Sequence, residues 1–543
     1  MAATMVEVEL QPLTRAKHPE TLTETPQSRP ASIKSDPIDH LHAIPNDIEV
    51  TPDHARSKLH KVSVVFQLCA INFMASFASG AITVGLPTIA VSLAIPEALY
   101  TWPSSVYGLA SGATILLSGA VANVVGARIV DLVGTAVLSI STLACAFSQS
   151  PIQLIVFRAL QGTGISMHFP ASVALVTAAV PAGKGRNMSF ACLGLSQPLG
   201  FSAGLVVSGV MIEKTGWRST FYLAAAGCVA ASIAGFWILP TDKSRQTGEL
   251  SKMQRLRTEV DWIGSILASA GLALLSYVLA VVSADTANIH KAVNASLLAL
   301  SFVALAAFPL WMRHRERSGQ APLIPNSLWK KKAFTCMCAM VTLSWGAGNA
   351  MELFSSLYFQ NIQHTSTIFT SLRLLPNLTM AVIVELVVGL IVDKTPIRWA
   401  VVGTSVLSAI APLLMGLVDP KQPFWYMELW AQILAPISGD VLFTIGLLVV
   451  SEEFTEDRQA LAGAVFNTVA QFGWSLGIGL CQVAAFVVTQ DKQHSGDGSR
   501  SAAAALLDGY RASFWTIFAF FVTIVILALG GLQKLGKIGA KQD

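Results

Sequence analysis

Charge is scarce in this chain. Lys, Arg, Asp and Glu make up 13 % of its 543 residues, about half the ~25 % usual in soluble globular domains. So few charges do not cover a water-facing surface of this size. The net charge of +4 supplies no basic excess, so nucleic acid is not a partner on this reading. Other absences narrow the function further. There is no GxxxxGK[ST] loop, so no motif makes ATP the direct energy source. There is no HExxH pair and no acid–histidine cluster, which argues against an enzyme. The seven cysteines (69, 145, 192, 228, 336, 338, 481) form neither a CxxC pair nor a zinc spacing. They read as small apolar packing residues, and no metal or cofactor is expected.

What the chain has is apolar length. Hydrophobic residues make up 53 %, and mean hydropathy is +0.58. Crossing ~30 Å of hydrocarbon takes ~20 helical residues, and stretches of that size recur from Val62 to Leu532. Fourteen are counted: roughly 62–89, 102–124, 127–147, 152–178, 188–212, 218–239, 261–282, 291–311, 333–360, 368–392, 399–418, 424–450, 459–488 and 510–533. The runs are continuous, without the period-two alternation of barrel strands. An all-α polytopic membrane protein is predicted, with the lipid bilayer as its solvent. Residues 1–60 are rich in Pro, Ser, Thr and charge, and read as a disordered cytoplasmic tail. Residues 534–543 form a second tail. With the N-terminus inside, most of the 36 Lys and Arg fall on the cytoplasmic side, as the positive-inside rule requires. Both termini are therefore expected in the cytoplasm, with the plasma membrane favoured over the vacuolar one.

The chain also repeats itself. "GAVANVVGAR" at 119–128 is echoed by "GLIVDKTPIR" at 389–398, and "GTAVLSI" at 134 by "GTSVLSA" at 403. The offsets are 270 and 269 residues, in the same order. Two homologous six-helix bundles are predicted, at 61–240 and 333–533, with two inserted transmembrane helices in the linker 241–332. Parallel halves of this kind place a substrate cavity at their interface near the midplane. A single-chain monomer is expected.

The loop "GAVANVVGAR", the fourth-span "RALQGTG" and the fifth-span "GLSQPLGFSAG" resemble three signatures of the major facilitator superfamily. The extra pair beginning "VDWIGSILASAGLALL" is similar to its fourteen-spanner drug–proton antiporter branch. "GWRSTFYLAA", "PISGDVLF" and "LAGAVFNTVAQFGWSLGIG" are similar to fungal, aminotriazole-resistance-like exporters. The resemblance spans residues 62–533. It implies that Arg158 and Gln161 form the proton-linked pair of span 4. It implies a conformational latch in the loops: Gly119, Asn123 and Arg128 in the first half, Asp393 and Arg398 in the second. It implies an exporter motif at Gly194, Pro198, Gly200 and Gly204. The chain departs from the family at Asn123, where Asp is usual, at Val124, where Arg is usual, at Gln197, where Gly is usual, and at Ala78, where many relatives carry Asp.

Physical cost points to the same places. Arg158, Gln161 and His168 share one side of the span 4 helix, and an arginine there costs at least ~2.5 kcal/mol on insertion scales. It should face a cavity or a partner rather than lipid, snorkelling to the interface being the alternative. Asp440, Glu352 and Glu385 are acids inside spans. A carboxyl group in low dielectric favours its neutral form, which suits a group that takes up and gives back a proton. Asp440 is the leading candidate for proton coupling. His168, Asn349, Gln432, Trp345 and Tyr358 are expected along a substrate cavity, with Phe354, Trp430 and Phe472 as further aromatic candidates. The resulting reading is a proton-coupled efflux transporter of small amphipathic organic compounds such as drugs, toxins or secondary metabolites. Its alternatives are a proton-driven uptake symporter for a nutrient or siderophore, and a non-transporting sensor derived from a transporter.

Overall fold

The computed structural model describes residues 58–96, 99–181, 184–240, 260–284, 286–320, 322–391, 396–454, 456–494 and 502–533, together with Gln254 and Leu256. The two tails and Asp393 lie outside the described residues. Fifteen long or membrane-depth helices carry the fold. In the first half these are α1 (Lys58–Ser92), α2 (Trp102–Val125), α3 (Ala127–Phe147), α4 (Pro151–Ala179), α5 (Lys184–Thr215) and α6 (Trp217–Ile238). A hairpin follows, α7 (Trp262–Ala284) and α8 (Ala292–Arg317). The second half holds α9 (Lys332–Asn361), α10 (Thr367–Ile391), α11 (Ile397–Leu417), α12 (Glu428–Leu434), α13 (Ile437–Glu453), α14 (Glu456–His494) and α15 (Ala502–Gly531).

Among the described residues twelve segments are long and apolar enough to cross a membrane, α12 and α13 counting together as one. The two long helices that fall short are α4 and α9, which carry the polar side chains described below. Adding them gives fourteen transmembrane segments, the number expected. Outward-facing side chains such as Phe66, Phe236 and Ile526 are large, apolar and more than half exposed, a surface that suits hydrocarbon. Two connections are single residues. Gly126 (φ 111°) joins α2 to α3, and Gly216 (φ 88°) joins α5 to α6; both sit at positive φ, which glycine adopts without steric cost. Ser150 caps α4, its hydroxyl accepting from the Gln153 amide, and Pro151 fills the first helical position, where no N–H is needed.

Span 12 differs from the expectation of one continuous helix. It breaks at residues 435–436, because Pro436 has no N–H to donate to the preceding turn. Backbone groups freed inside a bilayer need new partners, and Ser408 on α11 supplies them. Its hydroxyl donates to the Leu434 carbonyl (2.9 Å) and accepts from the Ser438 amide (2.9 Å). Ser405 and Ser438 hydroxyls pair beside it at 3.0 Å.

Packing within each half rests on glycine. An added Cβ at Gly200 would lie 2.2 Å from the Phe73 carbonyl oxygen, and one at Gly204 would lie 2.3 Å from that of Phe77. Thus α5 touches the α1 backbone directly, as small-xxx-small helix pairs do. The second half repeats this. A Cβ at Gly473 would lie 2.2 Å from the Thr342 oxygen, and one at Gly477 would lie 2.3 Å from Gly346 Cα, sealing α14 to α9. The halves meet along two seams, α2 against α14 and α5 against α10.

Candidate functional site

A cavity of about 290 Å³ lies between the halves, lined by α1, α2, α4 and α5 on one side and by α9, α10, α13 and α14 on the other. The fold puts three acids there at once. Glu352 comes from α9, Glu385 from α10 and Asp440 from the first turn of α13. Thr444, one turn further along α13, donates to Glu385 at 3.3 Å. Asp440 Oδ2 is buried and has no hydrogen-bond partner. The helix break explains its setting: it starts a helix at membrane depth, where the helix dipole favours negative charge. Among the described lining residues none is Lys, Arg or His. The first-half wall is aromatic and neutral, with Tyr107, Phe169 and Phe201, while Asn72, Ser76 and Gln197 supply polar contacts.

Arg158 does not snorkel. It is 1 % exposed, donates from Nε to the Pro103 carbonyl (2.9 Å) and from Nη1 to Gln161 Oε1 (2.7 Å), and lies 4.6 Å from the Tyr107 ring centroid. Gln161 in turn donates to Thr142 Oγ1 (2.8 Å). The pair therefore ties α4 to α2 and α3, and reaches the cavity only through Tyr107, which lines it. Gly162 makes this approach feasible, since a Cβ there would lie 2.3 Å from the Tyr107 oxygen.

Of the residues expected along the cavity, Trp345 and Asn349 line it. Three others face elsewhere. His168 is fully buried against α3, with Nδ1 2.7 Å from Asp131 Oδ1, a partner the sequence reading missed. Gln432 donates to Ser355 at 3.2 Å within the second bundle. Tyr358 donates to Glu428 at 3.3 Å, and Glu428 also accepts from Gln363 at 2.5 Å and pairs with Arg373 at 3.7 Å. Phe354 packs on Tyr510, and Trp430 is more than half exposed. The aromatic rings that do line the cavity include Tyr107, Phe201, Phe443 and Trp474. A signal for the last existed: "GFSAG" at 200–204 recurs as "GWSLG" at 473–477, 273 residues later, and its second residue lines the cavity in both copies. Both copies also match the GxSxG spacing of a hydrolase elbow, but each is mid-helix and packed through its glycines. Ser202 donates to the Pro198 carbonyl (2.7 Å), not to a base.

The span 5 motif divides its work. Gly200 and Gly204 pack on α1, whereas Gly194 and Pro198 line the cavity, and a Cβ at Gly194 would meet nothing within 4 Å. Of the latch residues, Arg128 donates to the Phe236 carbonyl (2.6 Å) at the end of α6. Asn123 is exposed, Gly119 packs near Pro170, and Arg398 stacks on its neighbour Trp399 at 5.4 Å.

Hydrogen bonds between the halves cluster at the end where α1, α5 and α9 finish and α10 begins. Ser356 donates to the Thr83 carbonyl (2.9 Å) and Gln360 to that of Val84 (2.9 Å). Ser371 donates to Leu205 (2.7 Å) and Thr367 to Gly209 (3.1 Å), while Glu213 accepts from the Ile368 amide (3.0 Å).

Comparison with known proteins places the fold in a family. Residues 68–478 match the model of the Major Facilitator Superfamily. The chain is 34 % identical to MFS-type transporter 1 of Pyricularia oryzae, over 97 % of this chain and 94 % of that one. It is 23 % identical to the aminotriazole resistance protein of Saccharomyces cerevisiae, over 76 % and 73 %. Among solved structures, a bacterial homologue of the human lysosomal transporter Spinster, in an inward-facing and unoccupied conformation, superimposes with a TM-score of 0.60 at 14 % identity. That match covers 88 % of this chain and 98 % of the other. The chain belongs to the major facilitator superfamily; it is an integral membrane transporter of small molecules and not an enzyme.

Proposed function

We propose that this member of the major facilitator superfamily exports small amphipathic organic compounds in exchange for protons. One observation carries the reading: Glu352, Glu385 and Asp440, from three helices of one half, converge on a single cavity between the halves. Acids in such a place are costly unless they work. With no cation among the described lining residues, and an aromatic wall opposite, the cavity favours cargo with a positive head and an apolar body. Protons and cargo then compete for the same carboxyls, which is the elementary requirement of exchange. Export rather than uptake is supported by Gly194 and Pro198 facing the cavity and by the resistance relative in yeast.

With the N-terminus in the cytoplasm, the closed end described above is the outer one and the cavity belongs to an inward-facing state. The two bundles rock about their seams to reach the opposite state.

Asp440→Asn in proteoliposomes tests the reading. The variant keeps the shape and hydrogen-bonding capacity of the side chain but fixes its charge at zero. It is expected to exchange tetraphenylphosphonium across the membrane yet fail to concentrate it against an imposed pH gradient, with Glu352→Gln giving a smaller defect. If Asp440→Asn concentrates the probe as well as the wild type does, Asp440 is not the coupling group.

A further inference from the structure

The two seams between the halves are not equivalent. At the α2–α14 seam a Cβ at Gly112 would lie 3.0 Å from the Phe472 amide nitrogen, and one at Gly108 would lie 2.9 Å from the Trp474 ring. The inserted hairpin then covers this seam. Helix α7 packs on both α2 and α14, Ser269 donates to the Ala113 carbonyl (2.5 Å), and the Trp102 and Tyr277 rings meet at 6.1 Å. Among the described residues the hairpin makes no comparable contact with α5 or α10.

The α5–α10 seam is built differently. Its cross-links lie at one end, between residues 205–213 and 367–371. Further along, the same two helices line the cavity, α5 through Gly194, Gln197 and Pro198, and α10 through Ala381 and Glu385. Gly194 is at once cavity-lining and exposed, and a Cβ on it would touch nothing within 4 Å. Elsewhere on the same two helices large apolar side chains stand in the open, Leu199 on α5 and Ile383 and Leu386 on α10, all more than 45 % exposed. Gly194 thus belongs both to the cavity wall and to the exposed face of α5, on the seam the hairpin leaves uncovered.

We propose that cargo dissolved in the bilayer enters the cavity sideways between α5 and α10, across Gly194, and that the inserted hairpin confines lateral entry to this side by sealing α2 against α14. The proposal rests on the cavity being the transport site. An amphipathic molecule concentrates at the membrane interface, so a side entrance meets it where it is most abundant. Glu385, on the cavity face of α10, then offers the first charge that a cationic head encounters.

Two measurements test this. In the first, p-benzoylphenylalanine replaces Gly194 in full-length protein reconstituted in phosphatidylcholine vesicles, and the same residue replaces Ala113 in the covered seam. Illumination is expected to attach phospholipid acyl chains at position 194 and not at 113. Equal lipid capture at both positions, or none at 194, overturns the proposal whether or not transport occurs. In the second, Gly194→Trp puts an indole into the entrance at a position where an added Cβ meets nothing within 4 Å. The initial rate of tetraphenylphosphonium efflux is expected to fall about tenfold, as when access to a site is obstructed, while binding of the same probe to detergent-solubilised protein persists. An unchanged efflux rate overturns the proposal. Lipid capture at 194 without any efflux by the wild type would instead refute the exporter reading and leave the side opening standing.

Discussion

Single side chains here are governed by what burial does to polar groups. Arg158 satisfies the Pro103 carbonyl and Gln161 at once. Lysine lacks the planar fork that reaches both. Arg158→Lys is expected to leave buried groups unpaired and to cost about 1–3 kcal/mol, read as a lower unfolding temperature, with Arg158→Ala abolishing transport at matched abundance. Undiminished efflux in the alanine variant would sink the coupling role assigned to this residue. The Glu428–Arg373 pair gives a sharper case. Glu428 is 1 % exposed, and the Arg373 guanidinium lies 5.3 Å from both the Phe359 and Phe424 rings. Removing one partner of a buried ion pair costs about 3–5 kcal/mol, because the other charge is stranded. Arg373→Ala should therefore destabilise strongly, and adding Glu428→Gln should recover part of the loss. A double variant no more stable than Arg373→Ala would show that the pair is not coupled.

At the scale of elements, glycines and one serine decide what packs. Gly204→Val and Gly477→Val each push a side chain into backbone 2.3 Å away, so both should prevent accumulation of folded protein, measured as monodisperse material after detergent extraction. Gly194→Val should be tolerated by the same assay. Ser408→Ala removes a hydroxyl that serves both ends of the break in span 12. Its expected cost is about 1–3 kcal/mol, with misplacement of Asp440 reported by weaker tetraphenylphosphonium binding. Much of this layer was legible in the sequence. Fourteen spans could be counted because apolar runs are long and continuous. The break at Pro436 was hidden because hydropathy stays high on both sides of it. The three acids were each visible as expensive residues, yet their convergence depends on how α9, α10 and α13 pack, which periodicity within one helix does not encode. Asp131, three residues beyond Arg128 at the start of α3, pairs with His168 on α4, a contact between spans that the pattern within either helix does not encode.

For the molecule as a whole, the hydrogen bonds between the bundles among the described residues are grouped at one end. Their grouping at one end predicts that weakening them shifts the population toward opening there. With Ser356→Ala and Ser371→Ala combined, spin labels at Val91 and Phe369, both exposed near that end, should show a longer-distance population in pulsed electron resonance. An unchanged distance distribution would mean that apolar packing, not these hydrogen bonds, holds the end shut.

Apart from those to Glu213, the bonds are also lopsided in what they ask of each partner. Ser356, Gln360, Thr367 and Ser371 give side-chain hydrogens, while Thr83, Val84, Leu205 and Gly209 give main-chain carbonyl oxygens. Every residue type has that oxygen. Side chains at the receiving positions can therefore drift, as far as space allows, without disturbing the contact, whereas the donors on α9 and α10 have few substitutes. In a deep mutational scan under drug selection, apolar residues of similar size should be accepted at the buried positions 84 and 205, whereas even close apolar isosteres should fail at 356, 360 and 371.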